Sequence, residues 1–472
     1  MLYPGRGGAA VIDIDKLEQY RENNRIEAKR ALGGLPKSIW ETYSAFANTL
    51  GGVLLLGVEE QPDKSFRTVD LPDPERLVRE FWELLNDPHK ASVNLLTSSD
   101  VRIETVNGNR IIVIRVPRAE RFDKPVYVDG DVNTGSYWRS GEGDHRCTPE
   151  QIEAMRRDAA VRTQDMRLLR TLTLEDLHTP SLWDYRRRAD RRSPGRGGRK
   201  LGDDEYLLGI GAGGTDADGR SFPTGAGLLM FGRYEDIIKT YPGFSLSLRE
   251  GEAAPELCRE NIYDFYGRAA DRLAGLFPGD GDFAAAMGEA LANCLINADY
   301  YSHAGVEIAV ERDRVVMTNP GFFRIRVSDA VIGGRSDPRN GELMRMFNLL
   351  GAGDGTGGGI PGIFSAWRLR GWSEPVITQL IGPGRVRLTL PLGSAPAPGK
   401  KLPGGEGAIR RAARKEMLLD YITEHISADI NELSALIGLR PSGTVRLLRE
   451  LAAEGLISVR GKGTERRYSL RA

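Results

Sequence analysis

The sequence predicts an α+β, multidomain protein. At 472 residues the chain exceeds one ordinary hydrophobic core, so about three domains are expected. Segments with helical periodicity alternate with short β-branched segments that end in glycine and asparagine turns. Stretches rich in proline and glycine interrupt this pattern. We therefore expect an N-terminal domain at 1–160, a linker and small connector domain at 161–258, a third domain at 259–395, and a small C-terminal domain at 408–472.

Charge and cysteine usage exclude several classes of protein. Lys plus Arg and Asp plus Glu number 65 each, so affinity for nucleic acid must come from local patches. The cysteines Cys147, Cys258 and Cys294 form no CxxC pair, which argues against a disulfide framework or a structural zinc site. Uninterrupted apolar runs of membrane-spanning length do not occur in the sequence. We expect a cytoplasmic protein that does not bind membranes.

The N-terminal domain shows a helix followed by strands. "KSIWETYSAFANTL" (37–50) has helical periodicity, and "GGVLLLGVEE" (51–60) predicts a buried strand. "VRIETV" (101–106) and "RIIVIRVP" (110–117) flank "NGN", which predicts a hairpin. "PVYV" (125–128) predicts a further strand.

Three glycine-rich stretches differ in what they indicate. Residues 185–200, "YRRRADRRSPGRGGRK", predict an exposed loop between domains, which either is solvated or contacts phosphate. Residues 393–407, "GSAPAPGKKLPGGEG", predict a mobile tether. Residues 351–362, "GAGDGTGGGIPG", lie inside a predicted domain and therefore require a functional explanation.

A polar stripe precedes that third stretch. In "EALANCLINADY", Glu289, Asn293, Asn297 and Tyr300 recur at intervals of four, four and three, which places them on one face of a helix. A triphosphate site needs backbone N–H donors, a helix N-terminus and a divalent metal, and a glycine loop supplies the first of these. The alternative is that the polar residues brace a packed helix and the glycines form a flexible loop.

Five further motifs follow one another along the chain: "GLLMFG", "EALANCLINADY", "NPG", "RN" and "GTGGGI". In this order they resemble the motifs of the Bergerat-type ATP-binding fold of gyrase, MutL and histidine kinases, in its divergent RecG-like branch. The resemblance implies ATP and Mg²⁺ as cofactors, with Asn293 holding the metal and Glu289 polarising an attacking water. Asn319 replaces the aspartate that reads adenine in the parent fold, and "NADY" replaces "HRDY"; the asparagine still accepts a hydrogen bond. The other residues that the resemblance implies at the nucleotide are Asn297, Gly321, Gly355, Thr356, Gly357 and Gly359.

Five motifs in the N-terminal part occur in order: "ENNRIEAKRALGG", "AFAN", "GVEE", "GSYWRSGE" and "TPEQIEAM". With them, the segment of about 15–158 resembles the Alba-like domain of the Schlafen superfamily. By that resemblance, a set of carboxylates binds a divalent metal and cuts RNA or DNA, with a lysine meeting phosphate. The implied residues are Glu22, Glu27, Glu59 or Glu60, and Lys29. Alternatively the domain only binds nucleic acid, RNA included, and Glu27 and Lys29 form an ordinary ion pair.

The C-terminal segment has the order of a winged helix-turn-helix: "INELSALIGL", a turn, "SGTVRLLRELAAEGL" and two short strands around "GKGT". Ser442 is the expected N-cap of the helix that enters the major groove of DNA. We expect base contacts from Arg440, Ser442, Thr444 and Arg446, and backbone contacts from Arg460, Lys462, Arg466 and Arg467. The alternative is a protein-binding winged helix.

Together these features predict an ATP-binding, DNA-binding transcriptional regulator in which nucleotide binding biases conformation or assembly, and we expect a homo-oligomer. The alternative is a Schlafen-like metal-dependent endonuclease that acts on RNA or single-stranded DNA in antiphage defence. Whether the protein is an enzyme, as a weak ATPase or as a nuclease, stays open. A P-loop helicase is disfavoured because the sequence contains no GxxxxGK[ST] motif.

Overall fold

The chain divides into two compact units, residues 1–159 with 411–472 and residues 160–410. Glu22, Gly355, Thr356 and Lys462 lie outside the described residues. The computed structural model describes residues 25–63, 65–140, 143–177, 180–192, 201–353, 357–380, 384–393, 414–415, 418–419, 421–422, 427–437, 439–453, 457–461 and 466–470.

The N-terminal part of the first unit is a mixed sheet with helices. Its elements in chain order are β1 (Ile26–Lys29), α1 (Ile39–Asn48), β2 (Gly52–Leu56), β3 (Val58–Glu60), β4 (Phe66–Thr68), α2 (Pro74–Leu85), β5 (Val101–Val106), β6 (Asn109–Val116), α3 (Val132–Gly135), β7 (Tyr137–Ser140), β8 (Gly143–Arg146) and α4 (Pro149–Ala159). The main sheet has the order β1-β2-β6-β5, with β1 parallel to β2 and the other pairs antiparallel. The β3–β4 and β7–β8 pairs form separate ladders.

Local sequence patterns account for most of this part. Helix α1 and strands β2 and β3 fall inside the predicted segments, and the β5–β6 hairpin turns at Asn107 and Gly108, whose φ angles of 50° and 81° are left-handed. The strand predicted at 125–128 is wrong, because these residues form isolated bridges. Side chains of α1 occupy the groups that a ladder would use: Asn48 Oδ1 accepts from the Val126 N–H, and Asn48 Nδ2 donates to its carbonyl.

The second unit contains a six-stranded mixed sheet and a separate antiparallel pair of strands. Its elements in chain order are α5 (Pro180–Arg192), α6 (Asp203–Ile210), β9 (Gly213–Thr215), β10 (Ser221–Pro223), α7 (Gly225–Phe231), α8 (Tyr234–Thr240), β11 (Leu246–Glu250), β12 (Glu256–Cys258), α9 (Ile262–Ala274), α10 (Gly281–Ile296), β13 (Val306–Val310), β14 (Arg314–Pro320), α11 (Val327–Ile332), α12 (Gly341–Leu350), α13 (Gly359–Leu369), β15 (Val376–Leu380) and β16 (Arg385–Pro391). The order of the six-stranded sheet is β12-β11-β13-β14-β16-β15, in which β11 and β13 are parallel and the other neighbours antiparallel, and β9 and β10 form the separate pair. Helix α10 packs against α9, α13 and β14.

One hydrophobic core extends through the second unit, from Leu169 to Leu390. Residues 161–258 and 259–395, which the sequence separates, therefore share a core. The loop predicted at 185–200 begins instead inside a helix, since α5 continues to Arg192. Leu182, Tyr185 and Ala189 lie on its buried face, and the Tyr185 hydroxyl donates to the Met346 carbonyl at 2.9 Å. Residues 193–200 and the predicted tether at 394–407 lie outside the described residues.

Helix α10 is shorter than its sequence pattern predicts. It ends at Ile296, with Asn297 as C-cap. The Asn340 side chain donates to the carbonyls of Ile296 and Ala298, at 2.9 and 2.8 Å, which satisfies the end of the helix. Tyr300 is therefore not part of the polar stripe; it is buried, and its hydroxyl donates to the Leu295 carbonyl at 2.8 Å.

The C-terminal part consists of helices and a small antiparallel sheet. Its elements are β17 (Ser427–Asp429), α14 (Ile430–Ile437), α15 (Pro441–Ala453), β18 (Ile457–Arg460) and β19 (Arg467–Leu470). The sheet order is β17-β19-β18, and Leu433, Leu436 and Leu448 belong to the core between the helices. Helix α15 begins at Pro441, so Ser442 lies in its first turn and is not the N-cap. Among the described helices of the whole chain, none has the length and apolar character needed to cross a membrane.

Candidate functional site

A cleft in the second unit lies between α10, the end of β14, the segment from Phe322 to Pro338, and α13. Its empty volume is about 1090 Å³, open mouth included. Met317, Ile363 and Leu388 contribute an apolar wall, and Glu289, Asn293 and Asn319 contribute polar groups. A concave site with an apolar wall and a few converging polar groups is typical of small-molecule binding.

Glu289 and Asn293 lie one turn apart on α10 and contact each other. Asn293 Nδ2 donates to Glu289 Oε1 and to the Glu289 carbonyl, both at 2.9 Å. Because the amide nitrogen donates to these two acceptors, Oδ1 is the atom of the Asn293 side chain that is left to contact a ligand. A neutral amide oxygen of this kind suits a hard divalent cation.

The glycine loop meets this pair of residues, as the sequence predicts. The Gly353 N–H donates to Glu289 Oε2 at 2.8 Å. Gly359 lies so close that an added Cβ would stand 2.2 Å from Glu289 Oε1 and 3.0 Å from Asn293 Nδ2. Gly359 also begins α13, whose N-cap, Gly358, offers no side-chain acceptor to the first turn within the described part of the chain. The first-turn N–H groups of such a helix favour an anion.

Asn319 and Asn297 adjoin this pair along the cleft. Asn319 is buried, and its Nδ2 donates to the Asn297 and Pro320 carbonyls at 3.3 and 3.1 Å, which leaves Oδ1 as an acceptor. Asn297 Nδ2 donates to the Asn293 carbonyl at 3.0 Å, and Asn297 Oδ1 accepts from the Arg339 N–H at 3.4 Å. Asn297 thus caps α10 as well as lining the cleft.

Gly321, which follows β14, packs closely against Arg339. Its φ of 93° is left-handed, and an added Cβ would lie 2.3 Å from Arg339 Nη1. The Arg339 guanidinium fills this space and donates to the carbonyls of Asn297, at 2.6 Å, and Phe322, at 3.0 Å. Arg339, itself buried, thus fills the space that a side chain at Gly321 would take, and a contact of Gly321 with nucleotide stays a prediction.

Asp165 is a site-supporting residue that the sequence does not reveal. It lies before α5, yet its Oδ2 accepts from the N–H groups of Glu342 and Leu343 at 2.8 and 3.0 Å and so caps α12. Burial raises the pKa of this carboxyl above its ordinary value. The glycine loop starts where α12 ends, so Asp165 holds the far end of the helix that leads into the cleft.

The N-terminal carboxylates lie in an ion-pair network. Glu27 pairs with Lys29 and with Arg139, each at 2.9 Å. Arg139, only 1% exposed, also pairs with Asp144 at 3.0 Å, a contact that no local sequence pattern predicts. Glu59 lies 3.9 Å from the exposed Arg30. Among the residues that the structure describes, no three His, Cys, Asp or Glu side chains are placed to hold a metal, and Glu22 lies outside this set.

Helix α15 exposes a basic face. Three of the predicted DNA-contacting residues are exposed: Arg440, just before the helix, Ser442 and Arg446. Arg449 is exposed as well and is absent from the predicted set, although it continues the i, i+4, i+7 spacing from Ser442. Thr444 is wrongly predicted to face DNA bases. It is fully buried, and Ser434 donates to its Oγ1 at 3.1 Å, because this position points toward α14.

The predicted wing residues have separate environments. Arg467, on β19, lies 3.4 Å from Glu432 and 4.0 Å from Asp429. Arg466 precedes β19 and is half-buried. Arg460 is the last residue of β18, and Lys462 lies outside the described residues.

Family models match three parts of the chain. Residues 22–148 match the model described as "Schlafen, AlbA_2". Residues 303–390 match the HATPase_c_4 model, described as "Putative ATP-dependent DNA helicase recG C-terminal". Residues 153–247 match a domain of unknown function, DUF8451. The second match begins after Glu289 and Asn293, so helix α10 supplies polar residues to a cleft whose other side belongs to the matched region.

Solved structures give two further comparisons. The N-terminal domain of a RecG-related protein from Nitrosomonas europaea is 36% identical, with 29% of this chain and 90% of that chain covered and a TM-score of 0.23. The DIP2311 protein from Corynebacterium diphtheriae is 18% identical, with 95% of each chain covered and a TM-score of 0.39. A search of curated proteins found no match.

Proposed function

We propose, from the presence of a Schlafen AlbA_2 domain and a RecG C-terminal-type, ATPase-like domain, that this chain is an ATP-binding, DNA-binding transcriptional regulator. In this proposal nucleotide binding biases its conformation or assembly. The observation that carries the proposal lies at one end of the cleft. There Glu289 accepts a hydrogen bond from the Gly353 N–H and lies so close to Gly359 that a side chain at that position would clash with it.

The groups at that end fit a metal–triphosphate complex. Asn293 Oδ1 suits Mg²⁺, and the first-turn N–H groups of α13 suit phosphate oxygens. The lack of a side chain at Gly359 leaves room for the Glu289 carboxylate, which a Cβ there would meet at 2.2 Å. When bound, ATP would supply a metal-complexed polyanion whose charge these dipoles stabilise. Along the cleft, the free acceptor of Asn319 suits an exocyclic amino group, and the apolar wall suits the flat face of a purine.

Helix α12 connects the nucleotide loop with the region that matches DUF8451. Asp165 caps its first turn, Tyr185 donates to its Met346 carbonyl, and Gly353 follows shortly after its end. A shift of the glycine loop on nucleotide binding would therefore change the contacts of α12 with α5 and with the segment before α5. Such a switch works only if ATP binds one conformation better than another.

The C-terminal part supports the DNA-binding half of the proposal. The arrangement of α14, α15 and the β18–β19 hairpin fits a winged helix, with α15 as the recognition helix. Arg440, Ser442, Arg446 and Arg449 form the exposed face that would meet DNA. Each phosphate contact of this face adds about one unit to the salt dependence of binding.

Calorimetry of the full chain with Mg²⁺ and a non-hydrolysable ATP analogue tests the proposal first. Fluorescence anisotropy with a labelled duplex library then measures DNA affinity with and without the analogue. We expect Asn293→Ala to abolish nucleotide binding and any nucleotide-dependent change in DNA affinity, and Asn133→Ala, an exposed position in the N-terminal part, to change neither. Absence of binding heat in the unaltered protein would refute the proposal.

The nuclease alternative has less support from the geometry. Two cations already neutralise the carboxylate of Glu27, one of them the buried Arg139. Incubation with labelled tRNA and single-stranded DNA in the presence of Mn²⁺, beside a Glu22/Glu27 double alanine variant, separates the two functions. Cleavage that is lost in the double variant would favour the nuclease.

A further inference from the structure

Arg335 lines the same cleft as Glu289 and lies in the segment between α11 and α12. Its side chain is 57% exposed, and Nη1 lies 3.3 Å from Oδ2 of Asp329, a residue of α11. An ion pair at this exposure contributes little to stability and exchanges partners readily.

The backbone of Arg335 packs against the glycine loop. Gly357, with a left-handed φ of 78°, would place a Cβ 2.7 Å from the Arg335 nitrogen and 2.8 Å from its carbonyl oxygen. Two residues later, Gly359 makes the matching close approach to Glu289. Arg335 and Glu289 therefore both border one short stretch of loop, Gly357 to Gly359, the stretch that would hold the phosphates.

Arg324, the other arginine among the described lining residues, holds groups of its own segment. Arg324 is 4% exposed; its Nη1 donates to the Pro338 carbonyl at 2.8 Å, and its Nε lies 3.8 Å from Asp337. It serves to hold the segment in place. The carboxylate of Glu289 adds negative charge where a polyanion would lie, so a further cation at the cleft would favour binding of the polyanion. Arg335 has the position and the exposure to supply it.

We propose that Arg335 reads the terminal phosphate of the nucleotide. On binding of a nucleoside triphosphate its guanidinium exchanges Asp329 for the terminal phosphate oxygens, which it can meet in a bidentate pair. A nucleoside diphosphate lacks that group and leaves the Asp329 pair intact. The inference rests on the proposed nucleotide site and adds to it the residue by which triphosphate and diphosphate are distinguished.

The test compares equilibrium binding of a non-hydrolysable ATP analogue and of ADP, each with Mg²⁺, to the full chain. We expect Arg335→Ala to weaken binding of the analogue by about tenfold or more and to leave ADP within about threefold. Arg335→Lys should retain part of the difference, since the charge remains and the bidentate geometry is lost. Asp329→Asn should tighten binding of the analogue, because it removes the competing carboxylate.

Arg312→Ala serves as the matched control, because Arg312 is exposed on the β13–β14 turn and is not a lining residue. Thermal melting of each variant checks that the fold is unchanged. Equal loss of both nucleotides in Arg335→Ala, or loss of neither, would overturn the inference while the nucleotide site stands. If the unaltered protein binds neither nucleotide, the proposed function fails and this inference fails with it.

Discussion

Substitution of Gly359 by alanine should damage the nucleotide site without damaging the fold. The new Cβ would start 2.2 Å from Glu289 Oε1, so the carboxylate must retreat by about 1 Å to reach normal contact. The hydrogen bond from Asn293, now 2.9 Å, would then be lost. Hydrogen bonds to a charged group contribute about 1.5–3 kcal/mol, which corresponds to roughly 10- to 100-fold weaker nucleotide binding if Asn293 must be held in place.

The same substitution should leave stability almost unchanged. Gly359 does not have a left-handed φ, and alanine in a helix is favoured over glycine by up to about 1 kcal/mol, which offsets the lost contact. Gly362, less than one turn further along α13, is the matched control, since an added Cβ there meets nothing within 4 Å. Calorimetry with Mg²⁺ and a non-hydrolysable ATP analogue, together with thermal denaturation, compares the two variants.

Two results would refute this reasoning. If Gly359→Ala binds the nucleotide as tightly as the unaltered protein, the contact with Glu289 is not part of the site. If Gly362→Ala weakens binding to the same extent, the effect belongs to the helix in general. The expected pattern is weaker binding in the first variant only, with similar unfolding temperatures in both.

Substitutions at Asp165, on helix α15 and at Gly321 test separate parts of the structure. Asp165→Ala should destabilise the second unit by about 1–3 kcal/mol in chemical denaturation, because it removes the acceptor for two N–H groups of α12, whereas Asp165→Asn should be tolerated. Because burial raises the pKa of Asp165, its contribution to stability should decrease as pH rises through the folded-state pKa, and Asp165→Asn should remove this decrease. Arg446→Ala should weaken DNA binding and relax its sequence specificity, whereas Thr444→Ala should mainly lower the melting temperature; the reverse pattern would contradict the assigned DNA face. Gly321→Ala should destabilise the protein, because it forces a left-handed φ on alanine and displaces Arg339. Unfolding by denaturant measures this loss, and unchanged stability would contradict the prediction.

The sequence alone predicts the α+β class and much of the local structure. The spacing of Glu289 and Asn293 predicts that they share a helical face, and the paired turn residues Asn107 and Gly108 predict a hairpin. The sequence also predicts that glycines near 351–362 serve the same site as α10, which the Gly353 and Gly359 contacts support. The predictions of the shared helical face and of the hairpin are confirmed, because helical periodicity and turn chemistry depend on residues a few positions apart.

Only the tertiary structure decides what occupies the space beside each of these residues. Arg339 lies against Gly321, Thr444 points into the helix pair, and Asp165 caps a helix 177 residues downstream. None of these contacts leaves a local pattern, because each joins segments that meet only when the core forms. A glycine shows that something must approach closely, and the packing of distant segments determines whether that is a phosphate, a carboxylate or a guanidinium.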